Sequence, residues 1–228
     1  MKNYNKLFAG LIKELKENNY IDIQEIDTDF SALQGTNLDF FDHKLKKNLN
    51  FSLPKEKQDV FNFFNYTRVY WFYKINEELK GTGDFNLENA YRSISKSKPH
   101  KIWNDSTPEK DIEILKQFRV LIDSPDAGDN KLIGFRLTPG TYSEELWFYN
   151  RGQLYPMKLD YEGLLNALLE TKGIGNWEYF FCDFDPKDSL HKNILDMLRK
   201  DLSALKILFP DVDYTYYDKK ISSLNEIG

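Results

Sequence analysis

The stretch from Leu132 to Leu169 constrains the fold most, because two strand patterns, a hairpin turn and a capped helix fall within fewer than forty residues. Leu132-Ile133-Gly134-Phe135-Arg136-Leu137 is a short apolar-alternating run closed by Thr138-Pro139-Gly140, and Leu146-Trp147-Phe148-Tyr149 is a second run, rich in the aromatics that suit a half-buried pleated surface. Asn150-Arg151-Gly152 predicts a three-residue connection, a type I turn followed by a left-handed glycine, that closes a hairpin onto Gln153-Leu154-Tyr155. Pro156 has no amide proton, which puts the returning strand at a sheet edge or a bulge. Asp160 is then placed to cap a helix whose Leu164, Leu165, Leu168 and Leu169 form one apolar face before Gly173. An α+β fold follows, with a central, mostly antiparallel sheet flanked by helices.

The rest of the chain supplies the flanking elements. Leu7, Phe8, Leu11, Ile12 and Leu15 recur at helical spacing, so an amphipathic helix opens the chain and Asn18-Asn19 ends it. Leu53-Pro54-Lys55-Glu56-Lys57 starts a second helix with Pro in its first turn and Val60, Phe61 and Phe64 as its buried stripe. Arg68 to Ile75 alternates as a strand, with Val69, Trp71, Tyr73 and Ile75 on one face and Arg68, Tyr70, Phe72 and Lys74 on the other. That second face has the aromatic and cationic make-up of a single-strand nucleic-acid platform, but a helix packed over it is the expectation for a central strand.

Gly81-Thr82-Gly83-Asp84 matches neither phosphate-loop spacing and reads as a turn ahead of a short helix at Ala90 and Tyr91. Ser93 to His100 reads as a mobile loop, Thr107-Pro108-Glu109 as a helix start with Thr107 as cap, Phe118 to Ile122 as a strand and 123–130 as a polar turn. Trp177 to Phe181 is a further aromatic strand candidate. Asp185-Pro186-Lys187-Asp188 signals a last long helix with Ile194, Met197, Leu198, Leu202, Leu205 and Leu208 along one side and Pro210 at its end. The tail with Tyr214, Tyr216 and Tyr217 adds an edge strand or lies on the surface. Residues 1–185 thus read as the α+β domain and 186–228 as a C-terminal helix and tail packed on it.

Charge and reactive groups narrow the function. The chain has 228 residues, 41% of them hydrophobic, enough for a real core. A net charge of -5 argues against a general nucleic-acid binder, whose affinity comes from cations neutralising phosphates. From Asp22 to Asp42 every charge is acidic (Asp22, Glu25, Asp27, Asp29, Asp39, Asp42), and His43-Lys44 and Lys46-Lys47 follow directly. Such a run is either a solvated face or a docking face for a basic partner. Cys182 is the single cysteine, so no intramolecular disulfide forms, and no signal core or membrane-length run precedes the fold, which suits a cytoplasmic protein.

His43, His100 and His191 lack ligand spacing, Cys182 follows an apolar run that buries it, and Ser189 near His191 lacks a nucleophile elbow. Asp126 with Asp129-Asn130-Lys131, and Asp211 with Asp218-Lys219-Lys220, imitate the carboxylates and lysine of a metal-dependent nuclease. The first set is too tightly spaced for separate strands and the second lies in the tail, so both read as surface turns. No catalytic residue, metal or cofactor is expected.

Four stretches carry a family likeness: Phe41-Asp42 and Leu45 leading to Leu53-Pro54 with Phe61 and Phe64; Gly83-Asp84-Phe85-Asn86-Leu87; Leu146-Trp147-Phe148-Tyr149 with Gly152; and Tyr161-Glu162-Gly163-Leu164-Leu165. Their order resembles the SUKH superfamily, an α+β fold of bacterial immunity proteins that also includes fungal cell-wall regulators. The resemblance implies binding rather than catalysis, with a cognate protein toxin as partner, one form of which is a basic nuclease domain. The acidic residues Asp22, Glu25, Asp27, Asp29, Asp39 and Asp42 are then the candidate docking face. The alternatives are an intracellular scaffold or regulatory protein on the same fold, and a metal-dependent nuclease or hydrolase.

Overall fold

Strand alternation and cross-strand aromatics build one antiparallel sheet. In this computed structural model the described residues are 2–34, 36–96, 102–105, 107–124, 131–141, 143–188, 191 and 193–227. The helices are α1 (Tyr4–Glu17), α2 (Thr36–Leu49), α3 (Lys55–Phe61), α4 (Ala90–Ile94), α5 (Glu109–Lys116), α6 (Tyr161–Thr171), α7 (Ile194–Leu208) and α8 (Thr215–Ile227). The strands are β1 (Ile21–Asp29), β2 (Tyr66–Lys74), β3 (Lys80–Glu88), β4 (Phe118–Asp123), β5 (Leu132–Arg136), β6 (Leu146–Asn150) and β7 (Gln153–Pro156). They lie side by side in chain order, each antiparallel to the next, which leaves β1 and β7 at the edges. The fold is α+β, and Pro156 closes an edge strand as its missing amide requires.

One sheet face is the core. Val69, Trp71, Tyr73, Phe85, Leu87, Ile133, Phe135, Leu146 and Phe148 are buried there, in a single cluster that also takes in Phe8 and Leu11 of α1, Leu164 and Leu168 of α6, Leu202 and Leu205 of α7, and Tyr217 and Leu224 of α8. The predicted stripe of α1 is buried except Leu7, and Asp160 caps α6 by accepting from the Gly163 amide at 2.8 Å. On α7 Met197 is exposed while the other apolar residues of the predicted side turn inward, Leu202 and Leu205 among them.

Several local expectations are corrected. Gly81 to Asp84 is not a turn but the first half of β3. Gly83 pairs with Trp71 and Gly81 with Tyr73, and a Cβ on Gly83 would lie 2.2 Å from the indole. The glycines make room for two large rings on the neighbouring strand. The hairpin after β6 is one residue shorter than predicted: Asn150 pairs with Gln153, and both loop residues, Arg151 and Gly152, have positive φ (49° and 84°). That is a type I′ turn, whose twist matches that of the strands.

Trp177–Phe181 is a 3₁₀ helix rather than a strand, with all five residues buried and turns closed by Trp177 N–H to Ile174 and Tyr179 N–H to Asn176. The last long helix starts at Ile194. Asp185 spends its carboxylate on the Lys187 amide in a local turn instead of capping a helix. The tyrosine tail is a helix, α8, anchored by the Tyr217 hydroxyl on Glu170 at 2.7 Å. Pro108, not Thr107, occupies the N-cap position of α5, while the Thr107 hydroxyl accepts from the Asn104 amide. The loop expected from Ser93 to His100 is helical at its start, since Ser93 and Ile94 end α4 and Ser95 is its C-cap, and Asp123 of the turn expected at 123–130 ends β4; residues 97–100 and 125–130, Asp126 and Asp129 among them, lie outside the described residues.

Candidate functional site

The second face of the sheet carries the candidate site. Residues paired across an antiparallel ladder point to the same side, and β1 sets Asp22 against Phe72, Glu25 against Tyr70, Asp27 against Arg68 and Asp29 against Tyr66. The acidic run and the aromatic and basic stripe, two separate features in the sequence, are therefore one surface. Its inward counterparts are Ile21, Ile23 and Ile26, set against Tyr73, Trp71 and Val69. A β-bulge between Ile23 and Glu25 makes this possible: Gln24 is the extra residue, and without it Glu25 would turn to the core and Ile26 to water.

Among the described residues no helix closes this face at its Phe72 and Lys74 end, contrary to the expectation for a central strand: Phe72 is 38% exposed, and Lys74, Asp22 and Asp27 are exposed as well. The polar groups are held in place by one another. Glu25 pairs with Arg68 at 3.3 Å, and Asp27 accepts from the Tyr66 hydroxyl at 2.9 Å, which raises the phenol's pKa. Asp29 accepts from the Ser31 hydroxyl at 2.5 Å, from the Ser31 amide and from the Asn65 amide group, and these bonds lower its pKa to about 2.

Asp39 and Asp42 do not join this surface. They lie on α2, which packs against α4, and Asp42 is half-buried with its carboxyl pushed up by that burial. The chain turns from strand to helix between Asp29 and Asp39, so an acidic run continuous in sequence is divided in space. Four of the six candidate residues share a face.

At the far end of the face β3 and β4 part, being paired only at Asn86 with Asp123 and Leu87 with Ile122. A cavity of about 520 Å³ opens there, lined by Asn65, Tyr66, Asn86, Glu88, Arg92, Lys96, Arg119 and Asp123 among others. Arg119 is 6% exposed and donates to the main-chain carbonyls of Lys96 at 2.8 Å and Phe118 at 3.1 Å; burial lowers its pKa. Lys96 pairs with Glu88 at 2.5 Å.

A second, smaller cavity of about 210 Å³ is lined by Asp84, Ser124, Lys131, Asn176 and Asp201, all but Asn176 buried. The Lys131 ammonium donates to the Gly175 carbonyl at 2.7 Å and to Asn176 Oδ1 at 3.3 Å. Asp201 accepts from the Asn176 amide at 3.2 Å; burial raises its pKa, and the Asn176 bonds and the Lys131 charge oppose the shift. Sequence reasoning missed this cluster because its members come from β3, the end of β4, the start of β5 and α7. Lys131 is buried in this network rather than exposed in a surface turn.

His191 and Cys182 are built into the core. His191 bonds the Tyr155 hydroxyl at 2.7 Å and the Asp185 carbonyl at 3.0 Å. The buried Cys182 thiol donates to the Glu178 carbonyl, and burial pushes its pKa up, away from thiolate reactivity. His43 is exposed on α2, while His100 and Ser189 lie outside the described residues. Among the described residues no three His, Cys, Asp or Glu side chains converge as a metal site, and no helix is long and apolar enough to cross a membrane. No family model matches the chain, and no curated protein or solved structure matches it.

Proposed function

We propose that this chain is an immunity-type binding protein that neutralises a cognate toxin by docking a basic surface of it on the outer face of β1 and β2. The observation that carries the reading is the alignment of Asp22, Glu25, Asp27 and Asp29 beside Tyr66, Tyr70 and Phe72. Carboxylates on a rigid strand steer a basic partner and fix its register, while adjacent aromatics supply the apolar anchors that dominate interface energy. A toxin that attacks nucleic acid presents a cationic cleft to phosphates, and this face is its electrostatic complement. The SUKH resemblance rests on the four stretches given above and supports the same class of function.

Rescue is the direct test. Co-expression with the product of an adjacent gene is expected to relieve that product's toxicity, and the two chains are expected to co-purify. A complex without any toxicity to relieve would favour the scaffold or regulatory reading on the same face. Neither rescue nor complex would remove the proposal.

A further inference from the structure

We infer that the cavity between β3, α4 and β4 is a binding site for a small anionic metabolite that also carries hydrogen-bond donors, such as an amino acid or a sugar phosphate. The cavity, at about 520 Å³, falls in the size range of small-molecule sites. Three cationic side chains converge on it: Arg92 from α4, Lys96 just after that helix, and Arg119 from β4.

Their charges are compensated unequally. Lys96 has Glu88. The Arg119 guanidinium is more than nine-tenths buried, yet its partners among the described residues are main-chain carbonyls, with no carboxylate in contact. Arg92 is half-buried, and its guanidinium has no hydrogen bond or ion pair among the described residues, the Asp29 carboxylate acting on it only at longer range. A buried cation is retained against its desolvation cost when a counter-charge meets it, and guanidinium groups match carboxylate and phosphate oxygens with paired donors.

The same cavity holds the opposite need. Asp123 Oδ1 and Asn65 Oδ1 are buried acceptors with no hydrogen-bond partner. Two such groups on residues that line one cavity point to a group that meets them there. Ammonium or hydroxyl donors on the ligand would satisfy them while its anionic group meets Arg92 and Arg119. The site adjoins the proposed docking face and shares Tyr66 with it, but its test needs no partner protein.

The experiment is a titration of the isotope-labelled full chain with three probes, L-glutamate, ribose 5-phosphate and inorganic phosphate, followed by NMR. Saturable binding of glutamate or ribose 5-phosphate is expected, with shifts at the side-chain amides of Asn65 and Asn86. The organic probe that binds identifies the source of the anionic group. Arg92→Ala and Asp123→Asn are each expected to weaken that binding about tenfold or more, the worth of one charge-assisted contact. Both change side chains that hold no other element in place, so the fold serves as the internal control in the same spectra. No saturable binding of either organic probe overturns the inference. So does inorganic phosphate binding as tightly as the organic probes, which would leave the acceptors without a purpose, and so does affinity unchanged in both variants.

Discussion

Gly83→Ala tests whether β3 is a strand packed against an indole. The new methyl would lie 2.2 Å from Trp71 Cε2 and 2.3 Å from its Nε1, far inside contact distance. The ring cannot retreat freely, because its N–H donates to the Lys172 carbonyl at 3.1 Å and its edge meets Phe209 and Tyr73. Overpacking of this kind costs about 1 to 3 kcal/mol. Tilting the ring away from Lys172 adds about 0.5 to 1.5 kcal/mol for the lost hydrogen bond. Against this, replacing a glycine stiffens the unfolded chain and returns about 0.4 to 1 kcal/mol. The net expectation is a loss of about 0.5 to 4 kcal/mol, against a typical stability of about 5 to 15 kcal/mol. Urea denaturation should show a lower midpoint with an unchanged slope, and Trp71→Phe in the same chain should recover part of the loss. Gly10→Ala is the control: its Cβ would meet nothing within 4 Å on α1, so about 0.5 to 1 kcal/mol of stabilisation is expected. Unchanged or increased stability in Gly83→Ala would refute the packing argument and return the segment to a solvated turn.

Two further outcomes follow from the same packing. Trp147 lies half-buried beside Arg136 and donates to Glu145, so Trp147→Ala should cost about 1 to 2 kcal/mol, whereas Phe148→Ala, inside the core, should cost about 3 to 5 kcal/mol; thermal melts that reverse this order would show the β6 register to be off by one residue. Burial raises the folded-state pKa of Asp201 above its unfolded value of about 3.9, so the folded state holds this proton more tightly, and the group's stabilising contribution is full below about pH 4 and lost as pH rises through the folded pKa. Asp201→Asn removes that slope, so urea midpoints for wild type should fall relative to the variant as pH rises above about 4, and parallel curves would contradict the assignment.

The parts of the fold legible in the sequence were those governed by one local rule. The stripe of α1, the Asp160 cap of α6 and the edge proline of β7 each follow from neighbours a few residues apart. The parts that were not legible depend on distant partners. Glycines at 81 and 83 look like a turn until Tyr73 and Trp71 are seen opposite them. β1 escapes the period-two pattern because Gln24 bulges and resets the alternation. Trp177 to Phe181 has a strand's composition but is buried on every side, which removes the alternation that separates a strand from a 3₁₀ turn. At the candidate site the acidic residues were legible and their sharing of a face with Arg68, Tyr70 and Phe72 was not, since only the register joins them.

The most direct test of the docking face is the association rate of this protein with the basic partner recovered by co-expression, measured at low and high salt. Asp22→Lys with Asp27→Lys reverses two exposed charges on β1 while the half-buried isoleucines keep the strand in register. The double variant should fold as wild type does, because exposed charges contribute little to stability. Its association should be slower by about tenfold or more at low salt, with a much weaker dependence on ionic strength. An association rate and salt dependence equal to those of the wild type, in a variant with an unchanged circular-dichroism spectrum, would contradict the claim that this face meets the partner.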